Sequence, residues 1–177
     1  MDHLLIRQAE AADLPALLDI FNHYVLNGHA TFATAPHSLD SRRAWFEGYS
    51  HAPYRLLVGE LGGAVAGCAY ASRYRPGSAF DATVETSIYL HPGRRGAGLG
   101  RQLYGALLDH LASQPVHLAV AAVALPNPAS LALHRRMGFE EVGTFREYAH
   151  KNGEWISSTW FQRPVGSAVR PPAAATS

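Results

Sequence analysis

Arg94-Arg95-Gly96-Ala97-Gly98-Leu99-Gly100 joins a strand pattern to a helix pattern through a doubly basic, glycine-rich turn. Upstream, Val84, Thr86, Ile88 and Leu90 alternate with Thr83, Glu85, Ser87 and Tyr89, the period of two that gives a strand two distinct faces. Downstream, Leu99, Leu103 and Leu107, together with Tyr104, Leu108 and Leu111, recur at helical spacing. A turn in that place lies at a helix N-terminus, where free amides, the positive end of the helix dipole and two guanidinium groups favour a diphosphate. The plain alternative is a turn whose glycines relieve sterics while its arginines face solvent. The run lacks the Lys-Ser/Thr ending of a triphosphate loop, and no early strand-turn-helix carries the three-glycine dinucleotide fingerprint, so a different nucleotide-bearing ligand is required.

Around this turn the 177 residues, 47% of them hydrophobic, suffice for one α/β domain with a sizeable core. Fifteen Lys and Arg against 14 Asp and Glu leave a net charge of +1, which gives no reason to expect nucleic acid or an anionic membrane as partner. With Cys68 as the only cysteine there is neither an intrachain disulfide nor a cysteine-metal cluster, and His23 and His29 lack the companions of a metal site; no metal is expected. Met1-Asp2-His3 runs directly into Leu4-Leu5-Ile6-Arg7 without an export segment, no apolar run is long enough to span a membrane, and a cytoplasmic location is expected.

Residues 4–7 read as a first strand, followed by a helix from Ala12-Asp13-Leu14-Pro15 and a less regular stretch from Asn22 to Phe32. Ser41 to Tyr49 reads as a helix, Arg55 to Leu61 and Ala64 to Tyr74 as a hairpin turning at Gly62-Gly63, and Val116 to Val123 as a buried strand. Ser130 to Met137 reads as a short helix ending at Gly138, and Phe139 to Ala149 with Trp155 to Gln162 as a terminal antiparallel pair turning at Asn152-Gly153. Period-two geometry sets Glu85 with Thr83, Ser87 and Tyr89 on a polar side of a central strand, where a carboxylate can take a proton from an ammonium directly or through water; the alternative is a salt-bridging strand glutamate. Arg73 and Arg75, which alternation puts on one face, are candidates for a bidentate grip on a substrate carboxylate or are edge charges. Phe32 and Tyr89 are pocket walls or core aromatics.

The Arg95-x-x-Gly98-x-Gly100 spacing resembles the acyl-CoA-binding signature of the GCN5-related (GNAT) N-acetyltransferases. Thr83-Val84-Glu85-Thr86-Ser87-Ile88-Tyr89-Leu90, Asn127-Pro128-Ala129-Ser130, Leu133-His134-Arg135-Arg136-Met137-Gly138-Phe139 and Lys151-Asn152-Gly153-Glu154-Trp155 resemble, within them, the phosphinothricin and methionine sulfoximine N-acetyltransferases; Ala30-Thr31-Phe32 and Tyr74-Arg75 fit the same pattern. The likeness covers roughly residues 4–163. It implies a single acyl-CoA N-acyltransferase domain, residues 1–163, with a mixed, mostly antiparallel sheet flanked by helices; outside it, the Pro-, Ala- and Gly-rich composition of residues 164–177 reads as a flexible tail. It implies acetyl-CoA as cosubstrate, held by Tyr89, Leu90, Arg94, Arg95, Gly96, Ala97, Gly98, Leu99, Gly100, Asn127 and Ser130. Phe32, Arg73, Arg75, Thr83 and Glu85 are then the substrate-binding set, and a homodimer is implied, its terminal strands contributing to the interface or shaping adjacent pockets. Glu85 is implied as base and His134 as the acid that protonates the departing thiolate, unless His134 is a surface or capping residue. Main-chain groups at Leu90 would polarise the thioester carbonyl in a direct transfer without an acyl-enzyme. Asn127 would bind the pantetheine amides, and Ser130 would cap its helix or touch the coenzyme.

Two features depart from the pattern: Ser157 stands where relatives carry an aspartate, and Ala124-Leu125-Pro126 precedes Asn127. The lost carboxylate is expected to change pocket or dimer electrostatics. Acetylation of another amine, a polyamine or a peptide terminus, and a noncatalytic acyl-CoA sensor are the alternatives. A polyamine site would display several carboxylates, whereas the candidates here include two arginines.

Overall fold

The two glycine-marked turns are tight hairpins in the computed structural model, which describes residues 4–49, 51–94 and 98–166. Gly62 and Gly63 (φ 57° and 78°) join β2 (Arg55–Leu61) to β3 (Ala64–Arg73), and Asn152 and Gly153 (φ 52° and 82°) join β6 (Glu140–Lys151) to β7 (Glu154–Pro164). Positive φ at both central positions matches the twist of the flanking strands, which is why glycine and asparagine occupy them. With β1 (Leu4–Gln8), β4 (Thr83–Leu90) and β5 (Leu118–Ala124) they form a seven-stranded sheet in the order β1-β2-β3-β4-β5-β7-β6. Every neighbouring pair is antiparallel except β4 and β5, which are parallel.

Helices cover both faces. Helix α3 (Leu99–Ala112) buries Leu103, Tyr104, Leu107 and Leu111 against Ala69, Ala71, Val84, Ala119, Ala121 and Phe161. Each leucine so buried stabilises the fold by about 1.5–3 kcal/mol. On the opposite face α1 (Leu14–Asn27) and α2 (Leu39–Glu47) cover Leu56, Val58, Cys68 and Tyr70. Helix α4 (Pro128–Arg136) follows β5.

Several boundaries differ from the sequence reading. Helix α1 continues through Asn27 where an irregular stretch from Asn22 was expected, because Leu17, Ile20 and Val25 keep one buried stripe running beneath the polar residues. Ser38, whose hydroxyl accepts from the Ser41 amide, starts α2 earlier than expected. Asn127, not Ser130, caps α4: its side-chain oxygen accepts from the Ser130 amide at 3.1 Å, and Pro128 fills the first turn. Strand β5 begins at Leu118 and not at Val116. Strand β3 ends at Arg73, so alternation does not carry on to Arg75.

Candidate active site

The site is built by a ladder that stops early. β3 and β4 pair all the way from Arg73↔Val84 to Gly67↔Leu90, but β4 and β5 pair only at Thr83↔Leu118, Val84↔Ala119 and Glu85↔Val120. Beyond Glu85 the two parallel strands separate. The His91 amide donates to Ala66 O and the Leu118 amide to Ala82 O. Alternation along the strand therefore turns the peptide groups of Ile88 and Leu90 away from β3 and toward the opening. Main-chain donors and acceptors in a gap between strands need partners, which a ligand rich in amides can supply.

A cleft of about 230 Å³ occupies this opening, lined by Tyr24, Ala30, Ile88, Tyr89, Leu90, Asn127, Ala129, Ser130 and Leu133. A smaller compartment of about 60 Å³ adjoins it between Thr86–Tyr89 and Ala122–Ala124, with His134 in its wall. Gly100 lies beneath: a Cβ there would stand 3.3 Å from Leu90 Cδ1 and 3.5 Å from Leu133 Cδ2, so glycine lets the start of α3 approach the cleft floor. Gly98 caps α3 in the left-handed region at φ 76°. Arg95, Gly96 and Ala97 lie outside the described residues. Leu99 faces the core, and the Arg94 guanidinium donates to Leu61 O at 2.8 Å.

Glu85 sits at the fork, where the β4–β5 ladder ends. It lies opposite Ser72 and shares the α1/α2 face with Ser87 and Tyr89, while Val84 faces α3. Its carboxylate has no hydrogen bond or ion pair among the described residues, and burial raises its pKa above the ordinary carboxylate value. A half-buried carboxyl without a cation beside it is fitted to take up a proton. Thr83 begins the same strand and is half-buried.

His134 is a core residue. Its ring stacks on Phe161 at 5.5 Å and meets Tyr104 and Phe139 edge-on, its Nδ1 lies 2.8 Å from Ser130 O and its Nε2 lies 3.2 Å from the Tyr104 hydroxyl. With Nδ1 donating to the carbonyl, Nε2 of the neutral ring accepts from Tyr104. Burial lowers its pKa, so the imidazolium expected of a general acid is disfavoured.

The arginines separate. Arg73 pairs with Val84 and so leaves the strand on the face opposite Glu85; its guanidinium bonds Asp81 at 3.3 Å and Arg75 O at 3.2 Å. The Arg75 guanidinium lies 4.9 Å over the Tyr74 ring. Tyr74 meets Trp160, Trp160 meets Phe145, Phe145 meets Tyr148, and Tyr148 meets Phe32, each pair at 5.5–6.3 Å between centroids. An aromatic arc thus connects Phe32 to Arg75. Sequence reasoning missed Trp160, Phe145 and Tyr148, which come from the distant β6–β7 hairpin; the buried indole N–H of Trp160 has no partner among the described residues. Ser157 accepts from the Glu147 amide at 3.0 Å and secures a bulge where Glu147 has φ 49°, so the hydroxyl has a structural task of its own.

Lys151 was also missed. Its ammonium is buried, bonds three carbonyls at Tyr24, Gly28 and Thr31, and has its pKa lowered by burial. Among the described residues no group of three or more His, Cys, Asp or Glu is placed to hold a metal, and no helix is long and apolar enough to cross a membrane.

Residues 6–160 match the family model described as an acetyltransferase (GNAT) domain. The chain is 40% identical over 163 residues to a phosphinothricin N-acetyltransferase of Streptomyces coelicolor, covering 90% of this chain and 95% of that one. It is also 40% identical to an L-methionine sulfoximine/L-methionine sulfone acetyltransferase of Pseudomonas aeruginosa, over 89% of this chain and 92% of the relative. In three dimensions it is similar to a GNAT superfamily phosphinothricin acetyltransferase from Sinorhizobium meliloti solved in complex with acetyl-CoA, with a TM-score of 0.89, 35% identity and coverage of 94% and 90% of the two chains.

Proposed function

The chain belongs to the GNAT acetyltransferase family, and on that premise we propose that it transfers acetyl from acetyl-CoA to the amino group of a small α-amino acid or of a sulfoximine, sulfone or phosphinic analogue. The observation that carries this reading is Glu85, a partly desolvated carboxylate with no hydrogen bond or ion pair among the described residues, at the fork of β4 and β5 and on the same strand as the Ile88 and Leu90 peptide groups that turn away from β3. The cleft suits the pantetheine arm, whose amides can bond that main chain and Asn127. The N-terminus of α3, capped by Gly98, suits the diphosphate.

In the proposed reaction Glu85 takes a proton from the ammonium, the free amine attacks the thioester carbonyl carbon, a C–N bond forms and the C–S bond breaks. The Leu90 amide stabilises the developing oxyanion, and on collapse coenzyme A leaves as thiolate, which takes up the second proton that the new amide nitrogen sheds. His134 supports the cleft wall and does not supply the proton. The arc from Phe32 to Arg75 supports an acceptor with an apolar side chain and an anionic end, Arg75 being the cation for it because Arg73 is paired with Asp81 and Arg75 has no ion pair among the described residues. Steady-state assays with methionine sulfoximine, its amide and a polyamine test the assignment. The free acid should have the highest kcat/KM; preference for the amide or the polyamine contradicts the substrate class, and acetyl-CoA binding without turnover of any amine would mark a sensor.

A homodimer is part of the same proposal. Strand β6 forms the sheet edge and is exposed from Glu140 to Tyr148, with Val142, Phe145, Tyr148 and Trp155 all exposed. A long edge bearing apolar side chains favours a second copy as its cover.

A further inference from the structure

Lys151 closes β6 at the far side of the sheet from the strands that carry the cleft, yet its Nζ reaches Tyr24 O at 3.2 Å, Gly28 O at 2.7 Å and Thr31 O at 2.9 Å. These are carbonyls of the last turns of α1 and of the loop that follows. Three tetrahedral N–H donors meet three converging carbonyls at the negative end of a helix dipole. No acidic side chain shares the ammonium among the described residues.

The clamped segment is the roof of the cleft. Tyr24, held through its main-chain oxygen, donates its phenol to Leu90 O at 2.7 Å. Ala30, between the clamped Gly28 and Thr31, accepts from the Tyr89 phenol at 3.3 Å and lines both compartments. His29 Nε2 lies 3.0 Å from Pro126 O and ties the loop to the approach to α4. An apolar residue in the place of Lys151 would fill the core at no desolvation cost, so a buried ammonium is explained by the positions it imposes on these carbonyls.

Resting on the acetyl-CoA reading of the cleft, we infer that Lys151 is a positioning residue that sets the shape of the acetyl-CoA site from outside it, by fixing the junction between α1 and the loop carrying Tyr24 and Ala30. It touches neither substrate. Its effect passes through Tyr24 and Ala30 to the end of β4.

Calorimetric titration of the full chain with acetyl-CoA, below the unfolding temperature of every variant, tests this. Lys151→Met should weaken binding by about tenfold. Leu111→Ala, a core truncation at the other end of α3, should lower the unfolding temperature and hold Kd within about twofold. Tyr24→Phe should cost clearly less binding on the Lys151→Met background than on the unaltered chain, since one route carries both effects. If Lys151→Met does not accumulate folded, Lys151→Gln, which keeps two donors, replaces it with the same readings. An unchanged Kd, or losses that simply add in the double variant, overturns the positioning role alone. Failure of the unaltered chain to bind acetyl-CoA overturns the cofactor reading and the inference with it.

Discussion

Glu85 and His134 show how surroundings decide what a titratable side chain can do. Both are shifted by burial, but the Glu85 carboxylate has no partner among the described residues at the strand fork, whereas both ring nitrogens of His134 face protein partners and its ring is stacked in the core. For His134 the folded pKa is lowered below the ordinary 6.5, so the unfolded chain binds the proton more readily. Its contribution is thus present above that value and is lost as pH falls through it toward the folded pKa. Unfolding temperature should accordingly drop between about pH 7 and pH 5, and His134→Phe should flatten part of that drop, with His37 and His110, also lowered by burial, supplying the remainder. A slope unchanged in His134→Phe would show that the ring is not buried neutral. At this scale the polar side of β4 was legible, because a period of two leaves a mark in the sequence. Lys151 and Trp160 were not, since Lys151 meets the end of α1, and Trp160 meets Tyr74, across a long stretch of chain and no local pattern records such contacts.

The elements were legible where turn chemistry is local, as at Gly62-Gly63 and Asn152-Gly153, and less so where tertiary contacts set the limits. The length of α1, the Asn127 cap and above all the point where β4 and β5 part are products of packing. Gly67 shows how tightly the intact side of β4 is held: a Cβ there would stand 2.7 Å from Leu90 Cδ2 and 2.8 Å from Tyr89 O. The side chain can rotate away, but the carbonyl belongs to the β3–β4 ladder and cannot. Gly67→Ala should therefore destabilise by about 1–3 kcal/mol and displace the end of β4 that floors the cleft. Urea denaturation measures the first effect and acetyl-CoA titration the second; a variant as stable as the parent would mean that β4 yields at little cost.

As a whole molecule the chain is a sheet covered by helices on both faces, split between β4 and β5 and bearing β6 as an exposed edge strand. The resemblance read from the basic glycine turn anticipated the architecture, while the aromatic arc needed β7 and β6 to join the sheet beside β5, which sets Trp160 and Phe145 on Glu85's side of it. Light scattering should give a mass near twice 19.2 kDa, and Val142→Glu should shift it toward the monomer; a monomer at all working concentrations contradicts the proposed edge pairing. The central claim is that the site at the split works through Glu85. It is tested by the pH profile of acetyl-CoA-dependent kcat/KM for the unaltered chain and Glu85→Gln, with acetyl-CoA binding measured on both. Because burial raises the Glu85 pKa, the unaltered chain should gain activity as pH rises through that value and the carboxylate forms. Glu85→Gln should bind acetyl-CoA as the parent does, lack that rise and lose about 10²-fold or more in turnover. Parental turnover by Glu85→Gln across the whole profile would contradict the account.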